Sequence, residues 1–293
     1  MEISIKTPRG FDYVRTVNSH GWSSLLPFEF DERRNALLRV LRVEGARPVT
    51  VTVEKGRGHS LRVKTSRKLG ARAAAAAERD VRHVFRLDDD LTEFYRALEG
   101  EPDFAWVVEG GAGRLLRSPT VYEDLVKSIM TTNCSWSLTE KMVTNLVQKL
   151  GEEADDGRRA FPTPAAMAAE PEEFYREVVR AGYRASYLKE LAGRVASGEL
   201  DVEGWLESDL PTDALKREMK RVKGVGDYAA ENLLKLVGRY DVLALDSWVR
   251  AKFARTHAAG KPCADRRIER HYARFGHWRG LALWCDMTRD WFD

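Results

Sequence analysis

The hydrophobic period of this chain changes once, near residue 90, and that change limits what it can fold into. Before it, Pro48–Glu54 and Ser60–Thr65 alternate apolar and polar residues, as half-buried strands do. The glycine-bearing Lys55–His59 between them predicts a hairpin loop. Phe11–Val17 and Asn35–Arg42 are expected as further strands, and the alanine-rich stretch 71–77 as a short surface helix or its lead-in. Beyond residue 90 the period is helical. Leu91–Leu98 is amphipathic, and Ser118-Pro119 predicts a capped helix start for residues 120–130. Ser137-Leu-Thr-Glu140 fits a capping box for a second helix to about Leu150. The acidic, then Gly- and Pro-bearing 151–164 reads as a connection. Helices are expected near 165–169, 171–181, 185–197, 211–221, 227–238, 247–256, 266–274 and 278–291. The pattern predicts an α+β chain without internal repeats: a small N-terminal antiparallel β domain (1–90) followed by an all-α domain (91–293).

With 43% hydrophobic residues the chain can bury a real core, so disorder is not expected. A formal charge of +3 is too small to name a polyanionic partner, so the placement of the charges has to decide. No apolar run approaches the roughly 20 residues of a membrane span. Met1–Lys6 lacks the pattern of a signal peptide. Cys134, Cys263 and Cys285 are too few and too scattered for a disulfide framework or a metal cluster, and the histidines have no ligand spacing that suggests zinc. The expectation is a soluble cytoplasmic monomer, nucleoid-associated if prokaryotic, with no membrane partner, no metal and no required cofactor.

The segment Leu215–Val237 carries the most chemistry. Two amphipathic stretches are joined by Val222-Lys-Gly-Val-Gly226. Gly224 and Gly226 accept positive φ and let bare backbone approach a ligand. The N–H groups opening the second helix make an anion site. Lys216, Arg217, Lys220, Arg221 and Lys223 precede the turn with Glu218 as the only acid among them. A phosphodiester is therefore the natural anion, held without reading sequence. An ordinary αα-hairpin with a glycine turn would share the Gly-x-Gly. Twenty residues after Gly226, the apolar Val242–Leu245 delivers Asp246 just before a helix, where on its own it reads first as an N-cap.

Taken together, Lys223-Gly-Val-Gly226 with Ala229-Ala230, and then Leu245-Asp-Ser-Trp-Val-Arg250, resemble the hairpin, Gly/Pro-rich loop and catalytic aspartate of helix-hairpin-helix base-excision DNA glycosylases. Lys223 stands where that family often has proline. Ala181-Gly-Tyr-Arg-Ala-Ser-Tyr-Leu188 and Arg117-Ser-Pro with Leu125–Asn133 resemble the branch containing 8-oxoguanine glycosylase and 3-methyladenine glycosylase II. The resemblance covers about residues 85–293. It implies a helix-hairpin-helix glycosylase domain acting on double-stranded DNA that carries a damaged or modified base.

The resemblance makes Asp246 the catalytic carboxylate, which stabilises the oxocarbenium-like sugar and orients or deprotonates water. Bifunctional members carry a nucleophilic lysine two residues after the second glycine. Here that residue is Tyr228, which cannot form a Schiff base, so a monofunctional hydrolase without lyase activity is expected. Lys223 is then a phosphate contact and Lys235 a residue of the helix surface. A flipped base needs aromatic walls, and Tyr228, Asn232, Trp278 and Trp284 are the expected pocket residues, each with core packing as the plainer alternative. Such a box suits a cationic alkylated purine through cation–π attraction; oxidised, deaminated and hypermodified bases are the alternatives. Lys223, Gly224, Val225, Gly226 and Arg250 are expected to hold DNA, with Asn133, Cys134 and Trp136 at the plug that fills the vacated stack. A monovalent cation on the backbone of Val222 and Val225 is implied by the resemblance. A reading from another class is a non-catalytic helix-hairpin-helix DNA-binding protein.

Overall fold

The N-terminal strands form one antiparallel sheet in the order β1-β5-β4-β3-β2, as the computed structural model, which describes residues 1–43 and 46–292, lays them out. The strands are β1 (Glu2–Lys6), β2 (Phe28–Asp31), β3 (Ala36–Leu41), β4 (Val49–Lys55) and β5 (Ser60–Thr65). Leu37 faces Val53 and Val53 faces Val63, so the register keeps buried aliphatic residues aligned across the three central strands. The expected strand at Phe11–Val17 is instead a helix, α1 (Tyr13–Val17). Its alternation is overridden by a cap: Asp12 accepts from the Arg15 N–H at 2.8 Å. Tyr13 then points inward and bridges β3 and β4, donating to the Val53 carbonyl and accepting from the Leu37 N–H, each at 2.8 Å.

Helices follow: α2 (Ala71–Val84), α3 (Thr92–Ala97), α4 (Ala105–Gly110), α5 (Val121–Thr131), α6 (Trp136–Leu150), α7 (Pro164–Ala169), α8 (Ala185–Ala196), α9 (Thr212–Met219), α10 (Asp227–Leu236), α11 (Ser247–His257), α12 (Asp265–Tyr272) and α13 (Arg279–Thr288). A small antiparallel sheet followed by a helical domain is the architecture expected from the change of period. Two predicted helix starts move. Thr120, not Ser118, caps α5, its hydroxyl accepting from the Glu123 N–H at 3.3 Å, while the Ser118 N–H donates to Asp124 at 2.9 Å. Ser135 caps α6 two residues ahead of the predicted Ser137 box. The helix expected over 171–181 is only a short π-type turn, Phe174–Val178.

Helix α5 is buried along nearly its whole length and joins the two parts. On β3, Arg39 forms a two-pronged pair with Glu123 (2.7 and 2.5 Å), and Lys127 reaches the same carboxylate at 2.7 Å. All three are at least 95% buried. The neighbouring Asp124 accepts from the Trp22 indole at 2.6 Å, fixing a tryptophan from the N-terminal part against the helical part. At the far end of α10, the buried Arg86 donates to the Leu236 carbonyl at 2.6 Å, satisfying a helix terminus that would otherwise be orphaned.

Burial raises the pKa of Glu123, but the charges of Arg39 and Lys127 more than offset it and lower it to about 2. The carboxylate therefore contributes stability fully present above pH 4.5 and lost as the pH falls toward 2. Glu123→Gln leaves two buried cations without their anion and should cost about 3–5 kcal/mol. Denaturant unfolding at pH 7 checks this, and the deficit should shrink in acid as the wild type loses its own charge.

Candidate active site

Tyr228, Asn232 and Lys235 share one face of α10 at helical spacing, and all three line a cavity of about 650 Å³. The other walls come from distant parts of the chain. His20, Gly21 and Trp22 precede β2; Ser128 and Thr131 belong to α5; Trp248 and Val249 open α11; Trp284 lies on α13, with Trp291 beyond it. A second, more polar hollow of about 880 Å³ lies over the hairpin turn between α9 and α10. It is lined by Asn133, Tyr183, Tyr187, Lys223, Gly224, Val225, Gly226 and Arg250 among others. Tyr228, Asp246 and Trp248 border both spaces. Asp246 therefore stands where a polar groove opens into a largely apolar cavity.

The half-buried Asp246 also caps α11, accepting from the Val249 N–H at 2.6 Å. Two residues earlier Ala244 takes φ +52°, a left-handed conformation unfavourable for a residue with a side chain and of the kind that collects at functional sites. Tyr228 is partly exposed; burial first, and the Asp246 charge second, push its phenol upward, so it remains a neutral group. Asn232 donates to the Tyr228 carbonyl at 2.8 Å.

Lys235 overturns an expectation. It is not on the helix surface but only 3% exposed, inside the cavity. Its ammonium lies 4.4 Å from the centre of the Trp284 ring, and among the described residues no hydrogen bond or ion pair reaches it. Burial lowers its pKa, Asp246 and Glu231 restore part of the loss, and it settles at about 8. His20, held at about 4 mainly by burial, is neutral. Its Nε2 contacts the Leu116 carbonyl and must be the donor there, which leaves Nδ1 an acceptor.

The expected pocket is corrected at Trp278 as well. That indole stacks on Tyr240 (5.4 Å between centres) and tilts against Phe94, away from the cavity. Gly280 explains why: a Cβ there would come within 1.9 Å of the Val242 carbonyl, so the start of α13 is pressed onto 240–242 and Trp278 packs behind it. Trp284 does line the cavity, its indole donating to the Ser19 carbonyl at 2.9 Å. Trp22, Trp248 and Trp291 were missed; Trp22 is remote in sequence from every other site residue, whereas Trp248, two residues past Asp246, and Trp291, seven past Trp284, carried a local signal.

At the hairpin, Gly224 has φ +89° and a Cβ would meet the Tyr187 ring at 2.5 Å, so glycine is required twice over. Gly226 has an ordinary φ of −88°; its bare backbone simply faces open space. The basic cluster is more compensated than its sequence suggests. Lys216 and Lys220 pair with Asp227, Arg221 with Glu218, and Arg250 with Asp265. Lys223 remains exposed in the groove, 3.6 Å from Glu190. The Val222 carbonyl accepts from the Val225 N–H at 3.0 Å, closing the turn.

Asn133 is exposed at the tip between α5 and α6 in a left-handed conformation (φ +48°), Ser135 being the cap, and its side-chain amide donates to the Tyr183 hydroxyl at 3.5 Å. Buried Arg184 holds the preceding Thr132 carbonyl. Cys134 turns inward instead, its thiol 3.2 Å from the Met130 carbonyl. Trp136 lies against Gly21, where a Cβ would come within 2.3 Å of its ring, and forms cavity wall instead of a projecting plug. Although the histidines lack ligand spacing in sequence, His257, His271 and Asp286 converge within 4.8 Å. The Asp286 carboxylate is already engaged by His257 (2.7 Å) and the Tyr272 hydroxyl (2.6 Å).

The profile of the HhH-GPD superfamily of base excision DNA repair proteins matches residues 126–277, just over half of the chain. A protein named "Probable N-glycosylase/DNA lyase" from Methanothermobacter thermautotrophicus is 24% identical over 237 residues, 71% of this chain and 74% of that one. Among solved structures, 3-methyladenine DNA-glycosylase from Archaeoglobus fulgidus superposes with a TM-score of 0.77 at 21% identity, covering 100% of this chain and 99% of that chain. The Clostridium acetobutylicum 8-oxoguanine glycosylase/lyase, in complex with dsDNA containing cytosine opposite 8-oxoG, gives a TM-score of 0.73 at 20% identity, covering 99% and 98%.

A buried ammonium without a partner is costly, and Lys235 should weaken the fold. Its cost is full below pH 8, where the group is charged folded and unfolded alike, and is relieved as the pH rises from 8 to 10.5. Lys235→Met should therefore raise unfolding stability at pH 7 by about 1–3 kcal/mol. The gain should narrow toward pH 10 in denaturant titrations.

Proposed function

The chain belongs to the HhH-GPD superfamily of base excision DNA repair proteins and is a DNA glycosylase; from that premise we propose that it is monofunctional, hydrolysing the N-glycosidic bond of a modified base flipped out of duplex DNA. The observation that carries this reading is Asp246 at the junction of the hairpin groove and the aromatic-walled cavity. With the DNA backbone along the hairpin groove and the base in the cavity, the sugar lies at the junction. As the C1′–N bond breaks, positive charge grows on the sugar. The Asp246 carboxylate stabilises it in surroundings of low dielectric and takes the proton of the attacking water. Exposed, left-handed Asn133 suits the space that the flipped base vacates.

The names of the Methanothermobacter and Clostridium proteins include lyase activity. In this chain Tyr228 occupies the position of the family's lysine, and a phenol forms no Schiff base. Lys235 lies seven residues farther along α10, about 10 Å at the helical rise, and borders the cavity but not the groove. It does not stand in for the missing amine at the sugar. On this reading hydrolysis needs no cofactor, and a monovalent cation on the carbonyls of Val222 and Val225 would serve only to brace the hairpin. A purely DNA-binding protein would have no use for a carboxylate at the mouth of an aromatic cavity.

Asp246→Asn retains a good helix cap, so folding and DNA binding should survive while single-turnover base release falls about 10²- to 10⁴-fold. Unchanged release would end the assignment. Borohydride reduction during turnover of the wild type should trap no covalent DNA adduct; an adduct would contradict the monofunctional reading.

A further inference from the structure

The sequence suits the cavity to a cationic alkylated base through its aromatic walls, but Lys235 points elsewhere. We propose that Lys235 is a catalytic and specificity-determining residue that hydrogen-bonds a lone pair on the flipped base, and that the enzyme acts on modified bases that are neutral in DNA and present a carbonyl oxygen or ring nitrogen to the cavity floor. The proposal rests on the glycosylase reading above and names the substrate class within it.

Three observations support it. Lys235 is 97% buried, lines the cavity and has no hydrogen-bond or ion-pair partner among the described residues, so its donors are available to whatever fills the space. A buried lysine left in that state costs stability, which the face of Trp284 and the charges of Asp246 and Glu231 offset only in part. It also lies two helical turns beyond Tyr228 on the same face of α10, deeper than the Asp246 junction, where the edge of the base far from the sugar would reach. The neutral His20 in the same wall adds no second positive charge.

The chemistry follows from where the electrons go. When the C1′–N bond of a neutral nucleoside breaks, the bonding pair leaves with the base as an anion, while water gives a hydroxyl to C1′ and its proton to Asp246. The base anion then takes up a proton and departs neutral. An ammonium bonded to the far edge opposes the growing negative charge, so the stabilisation is largest in the transition state. A cationic alkylated purine leaves as a neutral base without any anion. For it, Lys235 gives nothing to the leaving group and repels the bound substrate.

The test uses the full-length protein, with Lys235→Met compared to wild type in single turnover. The duplexes carry hypoxanthine, uracil or 8-oxoguanine as neutral bases and 7-methylguanine as a cationic one. The wild type should release at least one neutral base. Lys235→Met should slow that release about 100-fold or more, while release of 7-methylguanine stays within about threefold or rises; a thermal melt confirms that the variant is folded. Release of neutral bases within threefold of wild type, equal loss on both classes, or a wild type active only on 7-methylguanine would overturn the proposal. A borohydride-trapped adduct abolished by Lys235→Met would overturn it too, by making the amine a nucleophile. Asp246→Asn separates the two readings: if it releases bases at the wild-type rate, the assignment of Asp246 as the catalytic carboxylate has failed, and if it is inactive while Lys235→Met is unimpaired, only the role of Lys235 has failed.

Discussion

Two adjacent buried carboxylates on α5, Glu123 and Asp124, hold the working parts of the molecule in register. Glu123 grips Arg39 on the central sheet and Lys127 on its own helix, while Asp124 holds the indole of Trp22. A buried ion pair is a poor source of net stability but a strict geometric demand, because neither charge tolerates losing the other. The N-terminal sheet is therefore not an independent appendage. It is fixed to the helix whose far end, at Ser128 and Thr131, lines the cavity, and the segment leading into β2 supplies His20, Gly21 and Trp22 to the same wall.

From that frame the site divides into two environments with opposite tasks. The hairpin groove is polar, and Gly224 is forced by both its conformation and the Tyr187 ring beneath it. The cavity is lined by indoles and contains one buried cation. Asp246 belongs to both. Its capping bond to Val249 is compatible with the proposed catalytic role: it orients the carboxylate on the backbone and engages only one of its two oxygens. The left-handed Ala244 two residues before it and the buried Lys235 ammonium in the cavity are each a local cost of the kind proteins keep at functional sites.

Much of this was legible in the sequence where the signal is local. Period-two and helical patterns located β4, β5 and most helices, while the hairpin glycines and Asp246 stood out through their resemblance to the glycosylase motif. Failures came where tertiary context decides. Phe11–Val17 alternates like a strand, yet the Asp12 cap and the inward anchor of Tyr13 make it helical. Trp278 and Trp284 look equivalent in sequence, but the contact of Gly280 with 240–242 sends one behind the cavity and leaves the other in it. Lys235 reads as a surface residue because lysines usually are. Its helical register with Tyr228 and Asn232 was the signal that could have placed it inward. Trp22 carried no signal, since only Asp124, 102 residues away, gives it a role.

The central claim is geometric: the base enters the cavity between Trp22 and α10, and the sugar stops at Asp246. Its most direct test is a crystal structure of the Asp246→Asn protein with a duplex carrying a single deoxyinosine. The expected result is the hypoxanthine inside the cavity with a lone pair within hydrogen-bond distance of the Lys235 ammonium, C1′ facing the amide introduced at position 246, and Asn133 in the vacated stack. A base left in the helix, or one extruded into the hairpin groove with the cavity empty, would contradict it.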